Sequence, residues 1–362
     1  MQSLGMDPMP MLRVAGTHRQ MGQQIGEAMR PQIQHSVENA RRLIGDSYEK
    51  LSLTWESAII QARKYSPFTQ EQYPQYFEEL QGIAEGANVD LNEVIVVNTM
   101  EGVTLDALHL QKCTSMALTQ ERTSAGDVLI AHNEDWLPDD YPDVYLIHAT
   151  PEKEPPFLAM TYGALLPNIG FNADGIAQCC DSVYPNDARI GLPRVVASRA
   201  VLAARTPGDA LRAALVHHRA AGYNHLIAHE SGELYNVEVS ARQFAILPPQ
   251  RGAMVHTNHY LDARMQAIEN QPDELINTRV RYQRAWRLLN QTNLHSLETL
   301  QAIQRDHVNY PDSICRHAID ADNPLDREKT ICALIINLSA RRLHIAWGNP
   351  CESVYHAYDL DA

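Results

Sequence analysis

The hydrophobic periodicity of the chain changes at Cys113. Before this residue, apolar side chains recur at helical spacing for about a hundred residues. After it, positions such as Met116 and Leu118 alternate as in a strand. A helical block, then antiparallel strands, further helices and a closing strand pair are typical of an α+β layered sandwich. The sequence therefore predicts an α+β fold, with 1–112 as an all-helical segment and 113–362 as the sheet-rich segment of one compact domain.

Capping and periodicity signals divide the two segments into elements. Thr17 is expected to cap the first helix, and Gln20 completes a capping-box pattern. The predicted helices of the first segment are 16–51, 55–64, 70–85 and 91–98. The later predicted strands are 144–149, 157–162, 175–180, 224–229, 233–239, 243–247, 330–338 and 342–347. The later predicted helices are 193–204, 207–219, 274–290 and 297–305.

The charge of the chain excludes several classes of partner. A formal net charge of -14 disfavours nucleic acid and anionic membrane surfaces, and fits a protein that handles small molecules. We find neither a signal peptide nor an apolar run long enough to cross a bilayer, so the predicted location is cytoplasmic.

Cysteine and histidine spacing gives no metal motif. The six cysteines form no CxxC pairs, so neither a disulfide framework nor a structural zinc site is expected. His256 and His259 are three residues apart but lack a third ligand at a standard spacing. The expectation is that no metal takes part.

The first predicted hairpin brings a carboxylate near Cys113. If 122–126 is the turn, its centre lies near Ser124; Cys113 precedes that residue by eleven positions and Asp135 follows it by eleven. Directly opposed residues of an antiparallel pair have Cβ atoms roughly 4.5–5.5 Å apart. Asp135 is therefore expected opposite Cys113. A bulge would shift the register, so Asn133 and His132 remain candidates.

A carboxylate beside a thiol raises the pKa of the thiol, so activation of Cys113 must come from another group. One solution is a Cys–His pair, for which the sequence offers His132, His225, His229, His256 and His259. The other is cleavage of the Lys112–Cys113 bond, which would give Cys113 a free α-amino group as its own base. The chemistry leaves both open, together with an ordinary half-buried structural cysteine.

Several motifs occur in an order that resembles a known family. They are Gly16-Thr17, Met21-Gly22, Tyr73-Pro74, Glu93 to Thr99, Cys113-Thr114, Asn133 to Trp136, Gly170 to Gly175, Met254 to His259 and Asn309 to Arg316. This ordered set resembles the isopenicillin-N acyltransferase family of N-terminal-nucleophile hydrolases. The resemblance implies a four-layer αββα sandwich, and a precursor that cuts itself before the cysteine by an N-to-S acyl shift.

The resemblance also implies roles for individual residues. Cys113 would be the nucleophile and its new amino group the base, and Asn258 would stabilise the oxyanion. Asp135 matches the motif aspartate near the nucleophile. Arg316 would offset charge around the thiolate, with Ser313 nearby. The alternative, purely structural roles are a turn cap for Asn258, a structural carboxylate for Asp135 and a buried ion pair for Arg316.

Two residues differ from the family pattern. Lys112 stands where the family commonly has glycine, and Glu134 stands where the penicillin enzyme carries an aromatic residue. Because glycine tolerates strained backbone more readily than lysine, cleavage at Lys112–Cys113 is expected to be slow, conditional or absent if strain is needed.

Tyr162 and Asn224 are interpreted as residues of the substrate pocket.

The leading hypothesis is a cysteine-dependent amide hydrolase or acyltransferase that acts on a small N-acylated compound through a thioester. No cofactor is expected, except acyl-coenzyme A as acyl donor if the protein is a transferase. The alternatives are an uncleaved, silent relative that binds a small ligand or partner, and an uncut enzyme with a histidine base. After cleavage the two chains would stay associated; the substrate and oligomeric state are left open.

Overall fold

The computed structural model describes residues 4–47, 51–104, 112–270, 275–320 and 327–360. Among these residues, we find no helix with the length and apolar character needed to cross a membrane.

The first segment consists mainly of helices. They are α1 His18–Ala28, α2 Arg30–Asp46, α3 Trp55–Arg63, α4 Ser66–Gln72, α5 Pro74–Ala87, α6 Leu91–Asn98 and α7 Met100–Thr104. The predicted capping box is confirmed, since the side chain of Thr17 accepts from the backbone N–H of Gln20 and the side chain of Gln20 accepts from that of Thr17. The single helix predicted for 16–51 is wrong. It breaks at Met29, and α2 restarts with a proline in its first turn, where the missing N–H costs no helical hydrogen bond.

Glycines set the closest helix contact of this segment. A Cβ on Gly22 would lie 2.2 Å from the carbonyl oxygen of Glu79, and one on Gly86 would lie 2.3 Å from that of Gln23. Helices α1 and α5 therefore approach backbone to backbone, which only residues without a side chain permit. This explains why the first helix carries glycines at positions where alanine would favour helix formation.

The prediction of an all-helical first segment is wrong in one respect. Residues Met11–Gly16 form strand β1, which pairs in parallel with a strand of the second segment, Met11 opposite Leu146. The strand is short, lies at the edge of its sheet and buries only Val14 fully, so it carries no clear alternating pattern. The first segment thus contributes a strand to a sheet built mostly from the second.

The remaining strands belong to the second segment. They are β2 Thr114–Leu118, β3 Leu129–Trp136, β4 Val144–Pro151, β5 Phe157–Tyr162, β6 Ile169–Asn172, β7 Ile176–Asp181, β8 Tyr223–His229, β9 Leu234–Val239, β10 Phe244–Leu247, β11 Ala253–His256, β12 Lys329–Asn337, β13 Arg342–Trp347 and β14 Tyr355–Asp359. Its helices are α8 Arg194–Val201, α9 Pro207–Ala214, α10 Ala263–Gln266, α11 Ile276–Leu289 and α12 Leu297–Gln304.

Two sheets face each other between two helical layers. The first sheet has the order β1-β4-β5-β6-β7-β8-β9-β10, and the second has the order β11-β2-β3-β12-β13-β14. Strands β2 and β3 contact β7 and β8 across the interior. Helices α1, α2, α8 and α9 cover the first sheet, whereas α11 and α12 cover the second. The predicted four-layer αββα sandwich is confirmed, and it places β2, which begins beside Cys113, in the middle of the molecule.

A buried ionic cluster joins the two segments. Arg199 of α8 is fully buried and lies 3.4 Å from Glu79 and 3.3 Å from Glu154, while His18 lies 2.7 Å from Glu79. The guanidinium also stacks over Tyr76 at 4.7 Å. Burial alone lowers the pKa of His18, but its hydrogen bonds to Glu154 and Glu79 raise that pKa to about 9. The two cations and two carboxylates therefore neutralise each other across the segment boundary.

Candidate active site

Cys113 lies directly before β2 and is buried, with 1% of its surface exposed. Thr114 pairs with Asn133 and Ser115 with His132, so Cys113 lies opposite Glu134. The prediction that Asp135 opposes Cys113 is wrong by one residue, because the hairpin is centred between Thr123 and Ser124 rather than on Ser124.

A chain of polar side chains leads from the sulfur into the space between the sheets. The Sγ of Cys113 lies 3.5 Å from Oε2 of Glu134, and that oxygen lies 2.8 Å from Nε2 of His132. Nδ1 of His132 lies 2.8 Å from Oγ of Ser115, which donates to Oδ1 of Asp181 at 2.9 Å. All five side chains are buried. Opposed residues and residues two apart in a strand share a face, which explains this alignment.

The chain ends on a second histidine held between two carboxylates. His256 lies 3.3 Å from Asp181 and 3.1 Å from Glu238. Burial by itself lowers the pKa of His256, but the neighbouring carboxylates of Asp181 and Glu238 raise it to about 9. His256 is therefore a structural cation rather than a base for Cys113.

The other candidate histidines are also engaged away from the sulfur. Burial lowers the pKa of His225 and of His259 to about 3 each, and His229 lies at a turn beside Ser231. Of the five histidines considered, His132 is the one that the described contacts link to Cys113, and it does so through Glu134.

The thiol of Cys113 is not activated in the intact chain. Burial raises its pKa well above the usual value, and the charges of Glu134, Asp181 and Asp135 raise it further. A hydrogen bond from the backbone N–H of Asp135 opposes this only in part. The sulfur therefore stays protonated at neutral pH, and a base must remove its proton as it attacks.

The backbone around Cys113 is held on both sides. Its N–H donates to Oδ1 of Asn258 at 2.9 Å, and its carbonyl oxygen accepts from the guanidinium of Arg281. Arg281 also donates to Oδ1 of Asn258 at 2.7 Å and to Oγ1 of Thr114 at 2.9 Å. Two donors, the N–H of Cys113 and the guanidinium of Arg281, therefore converge on Oδ1 of Asn258, so the amide oxygen of Asn258 faces the bond before Cys113. Nδ2 of Asn258 donates to the carbonyl of Ser182 at 3.1 Å.

Arg281 was not predicted from the sequence. Helix α11 carries four arginines, namely Arg279, Arg281, Arg284 and Arg287, and nothing in their local pattern separates them. Arg281 alone among them is fully buried, with 1% exposure. Its position at the site depends on how α11 lies across β2 and β11, which is a tertiary property.

Asp135 faces the helical layer rather than the sulfur. Its Oδ1 accepts from Oγ1 of Thr330 at 2.6 Å, and its buried Oδ2 has no hydrogen-bond partner among the described residues. Burial raises the pKa of Asp135 to about 7, although Arg281, Thr330 and Arg316 each act to lower it. Asp135 is thus a carboxyl group that titrates near neutrality close to Cys113.

Lys112 is anchored at both backbone and side chain. Its N–H donates to the carbonyl of Asp135 at 3.2 Å, and its Nζ lies 2.8 Å from Oε2 of Glu328. Arg316 lies 3.6 Å from the same carboxylate and 2.6 Å from Asp312. Arg316 therefore contacts Glu328, the carboxylate that holds the side chain of Lys112, and its guanidinium forms ion pairs with Glu328 and Asp312 rather than with the sulfur.

Two predicted site residues have other contacts. The Oγ of Ser313 donates to the carbonyl of Cys315 at 2.6 Å, a contact within its own loop. Asn224 is buried and donates to Asp181 at 3.1 Å and to Asn236 at 2.9 Å. Asn224 supports the polar chain between the sheets and does not line the cleft that contains Tyr162.

A cleft at the end of β3 includes the predicted Tyr162. Trp136 and Tyr162 line it with their rings 6.0 Å apart. Arg194 and Glu101 supply charge to the same wall, 3.7 Å from each other. Trp136 directly follows Asp135 in β3, so the cleft adjoins the strand end that carries the site.

One set of potential metal ligands overlaps this site. Cys113, His132 and Glu134 place their ligand atoms within 4.8 Å of one another. The 2.8 Å hydrogen bond between Nε2 of His132 and Oε2 of Glu134 already satisfies two of the three. These residues therefore form a hydrogen-bonded chain.

Residues 122–352, more than half of the chain, match the family model for acyl-coenzyme A:6-aminopenicillanic acid acyl-transferase. The chain belongs to this family. Another member, the 40 kDa form of acyl-coenzyme A:6-aminopenicillanic-acid-acyltransferase from Emericella nidulans, is 24% identical over 92% of this chain and 91% of its own. The β-alanyl-dopamine/carcinine hydrolase of Drosophila melanogaster is 24% identical over 56% of each chain.

Solved structures with a similar fold include penicillin V acylase from Agrobacterium tumefaciens. It has a TM-score of 0.46 and 14% identity, and the match covers 65% of this chain and 83% of that one. An N-acylethanolamine-hydrolyzing acid amidase ortholog from Caenorhabditis elegans has a TM-score of 0.41 and 13% identity, over 63% and 93% of the two chains.

Membership of the acyl-transferase family settles the type of protein. The chain is an enzyme, an amidohydrolase or N-acyltransferase. The stretch of the chain that matches the family model begins after Cys113 and includes Asn258, Arg281 and Arg316.

Proposed function

We propose that this protein is a cysteine-dependent amide hydrolase of small N-acylated compounds that matures by cutting its own Lys112–Cys113 bond. The observation that carries the proposal is the pair of contacts to Cys113, from its N–H to Asn258 and from its Sγ–H to Glu134. One contact holds the nitrogen that must leave, and the other holds the proton that must be removed from the nucleophile.

Self-cleavage would begin at the thiol. Glu134 takes the proton from Sγ of Cys113, and the sulfur attacks the carbonyl carbon of Lys112. The C–N bond then breaks, and the nitrogen of Cys113 takes up the proton to become an amine. Water hydrolyses the thioester, which frees the carboxyl group of Lys112. Asp135 and Glu328 hold Lys112 through its backbone N–H and its side chain. These contacts would keep the Lys112–Cys113 bond in place for attack, so the glycine that is common in the family would not be needed.

After cleavage, the α-amino group of Cys113 would act as the general base. An α-amino group has an unperturbed pKa of roughly 7.7–8.0, close to the operating pH, and lies next to the sulfur. Oδ1 of Asn258, which accepts from the same nitrogen in the intact chain, would orient the amine. The oxyanion contact expected of Asn258 requires its Nδ2, which donates to Ser182 here, and stays a prediction.

When the substrate binds, the α-amino group of Cys113 takes the thiol proton while Sγ attacks the carbonyl carbon of the substrate amide. The α-amino group then passes that proton to the amine that leaves the substrate. Water resolves the resulting thioester to release the acid. Hydrolysis is favoured over transfer, since a transferase needs a second pocket that excludes water. If transfer occurs, acyl-coenzyme A is the proposed acyl donor.

The substrate class follows from the cleft and from the relatives. One relative is named for hydrolysis of β-alanyl-dopamine and carcinine, and the other for acyl transfer to 6-aminopenicillanic acid. Trp136 and Tyr162 offer an apolar aromatic wall, and Arg194 and Glu101 offer charge. We therefore propose a small acyl group joined to an amine, with an apolar portion against the aromatic wall.

Intact-mass analysis tests the proposal. We expect purified protein to separate under denaturing conditions into fragments 1–112 and 113–362, with the free cysteine as the first residue of the larger one. Brief incubation with a panel of N-acyl amines should add the acyl mass to that fragment and leave 1–112 unchanged. A single persistent chain that also resists a thiol-directed acylating probe would favour the silent, ligand-binding alternative. Activity in a chain that remains uncut would favour a histidine base.

Glu134→Gln tests the proposed base for self-cleavage. Loss of a positioned general base typically costs 10²–10⁴-fold in rate, so we expect cleavage of the freshly made chain to slow by about 10²-fold or more. Raising the pH should restore part of the rate, because hydroxide then removes the thiol proton directly. Time-resolved gel electrophoresis provides the measurement.

The matched control for Glu134→Gln is Glu269→Gln, which alters another buried carboxylate that accepts from the backbone N–H of Tyr260. This variant should cleave at the wild-type rate. Equal cleavage rates in Glu134→Gln and wild type would remove Glu134 from the proposed mechanism.

A further inference from the structure

Four potential metal ligands lie close together beside Arg316, in and next to the loop between α12 and β12, called the Arg316 loop below. His307, Cys315 and His317 lie between α12 and β12, and Cys351 lies between β13 and β14. Their ligand atoms all lie within 4.8 Å of one another. The set consists of two thiols and two imidazoles, and both cysteines are free.

The distances between these atoms match the edges of a tetrahedron around one small cation. Zn–S bonds of about 2.3 Å and Zn–N bonds of about 2.0–2.1 Å give edges of about 3.8 Å for S–S, 3.6 Å for S–N and 3.3 Å for N–N. The two sulfurs are 3.5 Å apart, and Nε2 of His307 lies 3.0 Å from Nε2 of His317. The sulfurs of Cys315 and Cys351 lie 3.6 Å and 3.4 Å from Nε2 of His317. Each of these four edges is within a few tenths of an ångström of the expected value, and the two edges from His307 to the sulfurs are within 4.8 Å.

Side chains around the four ligands would orient them. Nδ2 of Asn349 lies 3.6 Å from the sulfur of Cys315 and donates to the carbonyl of Arg316 at 2.6 Å. Oε1 of Glu352 lies 3.9 Å from Nδ1 of His317, the ring nitrogen that faces away from the cluster. An amide donor to a ligating sulfur and a carboxylate behind a ligating histidine are the usual supports of a metal site.

We propose that His307, Cys315, His317 and Cys351 bind one zinc ion as a closed structural site. A set of two thiolates and two neutral imidazoles selects zinc over magnesium or calcium, which prefer oxygen ligands. Binding releases the two thiol protons to solvent, so two thiolates balance the charge of the divalent ion. With four protein ligands, no position stays open for a catalytic water.

The zinc ion would brace the loop that carries Arg316. This arginine lies between two of the ligands in sequence, and its guanidinium reaches Glu328, which holds Lys112. Its backbone N–H lies 2.9 Å from Oγ1 of Thr330, which donates to Asp135. The ion would tie this loop to the turn before β14 and so order one wall beside the Lys112–Cys113 bond.

The prediction that no metal takes part differs from this proposal because the spacing of the four ligands follows no standard motif. The three ligands of the first loop are close in sequence, but Cys351 follows His317 only after β12 and β13. Antiparallel pairing of those two strands brings the loops together.

Elemental analysis of the purified full chain tests the proposal, because a structural site predicts about one zinc ion per chain. Replacement of the zinc by Co²⁺ should give the visible absorption of a tetrahedral cobalt site, with a sulfur-to-cobalt charge-transfer band. His307→Ala and Cys351→Ser each remove one exposed ligand and should weaken zinc binding, measured by competition with a chromophoric chelator. Supporting contacts alone cost 10–100-fold, so loss of a ligand should cost about 100-fold or more.

The control is His217→Ala, which removes an exposed histidine elsewhere in the chain and should leave zinc binding unchanged. Far-ultraviolet circular dichroism establishes that each variant is folded. Protein that takes up neither zinc nor cobalt under reducing conditions would overturn the proposal. So would wild-type zinc affinity in both ligand variants, or a Cys315–Cys351 disulfide as the only form in freshly purified protein.

Discussion

Cys113→Ala is expected to leave the chain uncut and to abolish amide hydrolysis. The substitution removes both the sulfur that would attack the Lys112 carbonyl and the nucleophile that would attack the substrate. Removal of a covalent nucleophile in another enzyme costs about 10⁶-fold in kcat, and we expect a loss of at least about 10⁴-fold here. Intact mass reports cleavage, and product release from an N-acyl amine reports activity.

The matched control for this variant is Cys332→Ala. Cys332 is a buried cysteine that pairs with Glu134 from β12 and has no place in the proposed mechanism. It should cut normally and retain activity within a few-fold. Cleavage of Cys113→Ala after Lys112 would point to a contaminating protease with lysine specificity, and full activity in that variant would refute the proposed nucleophile.

Arg199→Ala is expected to lower the free energy of unfolding by about 3–5 kcal/mol, because it leaves buried carboxylates without their cation. Glu79 lies in the first segment and Glu154 in the second, 3.4 Å and 3.3 Å from the guanidinium. The loss should therefore appear at the contact between the segments. Urea unfolding of the variant in a Cys113→Ala background measures it, since that chain is expected to remain covalently intact.

An exposed arginine on the same side of the fold provides the comparison. Arg205 is 60% exposed at its side chain and lies 3.4 Å from Asp174. Arg205→Ala should change the free energy of unfolding by less than about 1 kcal/mol, because water and salt screen an exposed pair. Equal effects of the two substitutions would mean that the buried cluster contributes no more than a surface ion pair.

In a processed protein the buried ionic cluster around Arg199 would hold the two chains together. Strand β1 pairs with β4 along its whole length, and the cluster lies between the helices of the first segment and α8. Both contacts join the two segments without involving Lys112 or Cys113, so cutting the bond between these residues leaves the contacts intact.

Local sequence patterns determined much of this protein. The capping residue Thr17, the change from helices to strands at Cys113 and the pairing of 330–338 with 342–347 all follow from interactions within a few residues, and the structure contains each of them. The prediction that this pair closes the fold is wrong, because β14 follows it and pairs with β13. The strand β1 escaped prediction because an edge strand with one buried side chain carries almost no periodic signal. The family motifs likewise drew attention to Cys113 and Asn258, whose contact spans much of the chain.

Only the tertiary structure decided which side chains surround the cysteine. A shift of half a residue in the centre of one turn places Glu134, rather than Asp135, opposite Cys113. The packing of α11 against the second sheet buries Arg281 and leaves Arg279 44% exposed at its side chain. Strand pairing between β12 and β13 brings Cys351 to the three ligands of the Arg316 loop. Each outcome depends on packing between residues far apart in sequence, which no local pattern encodes.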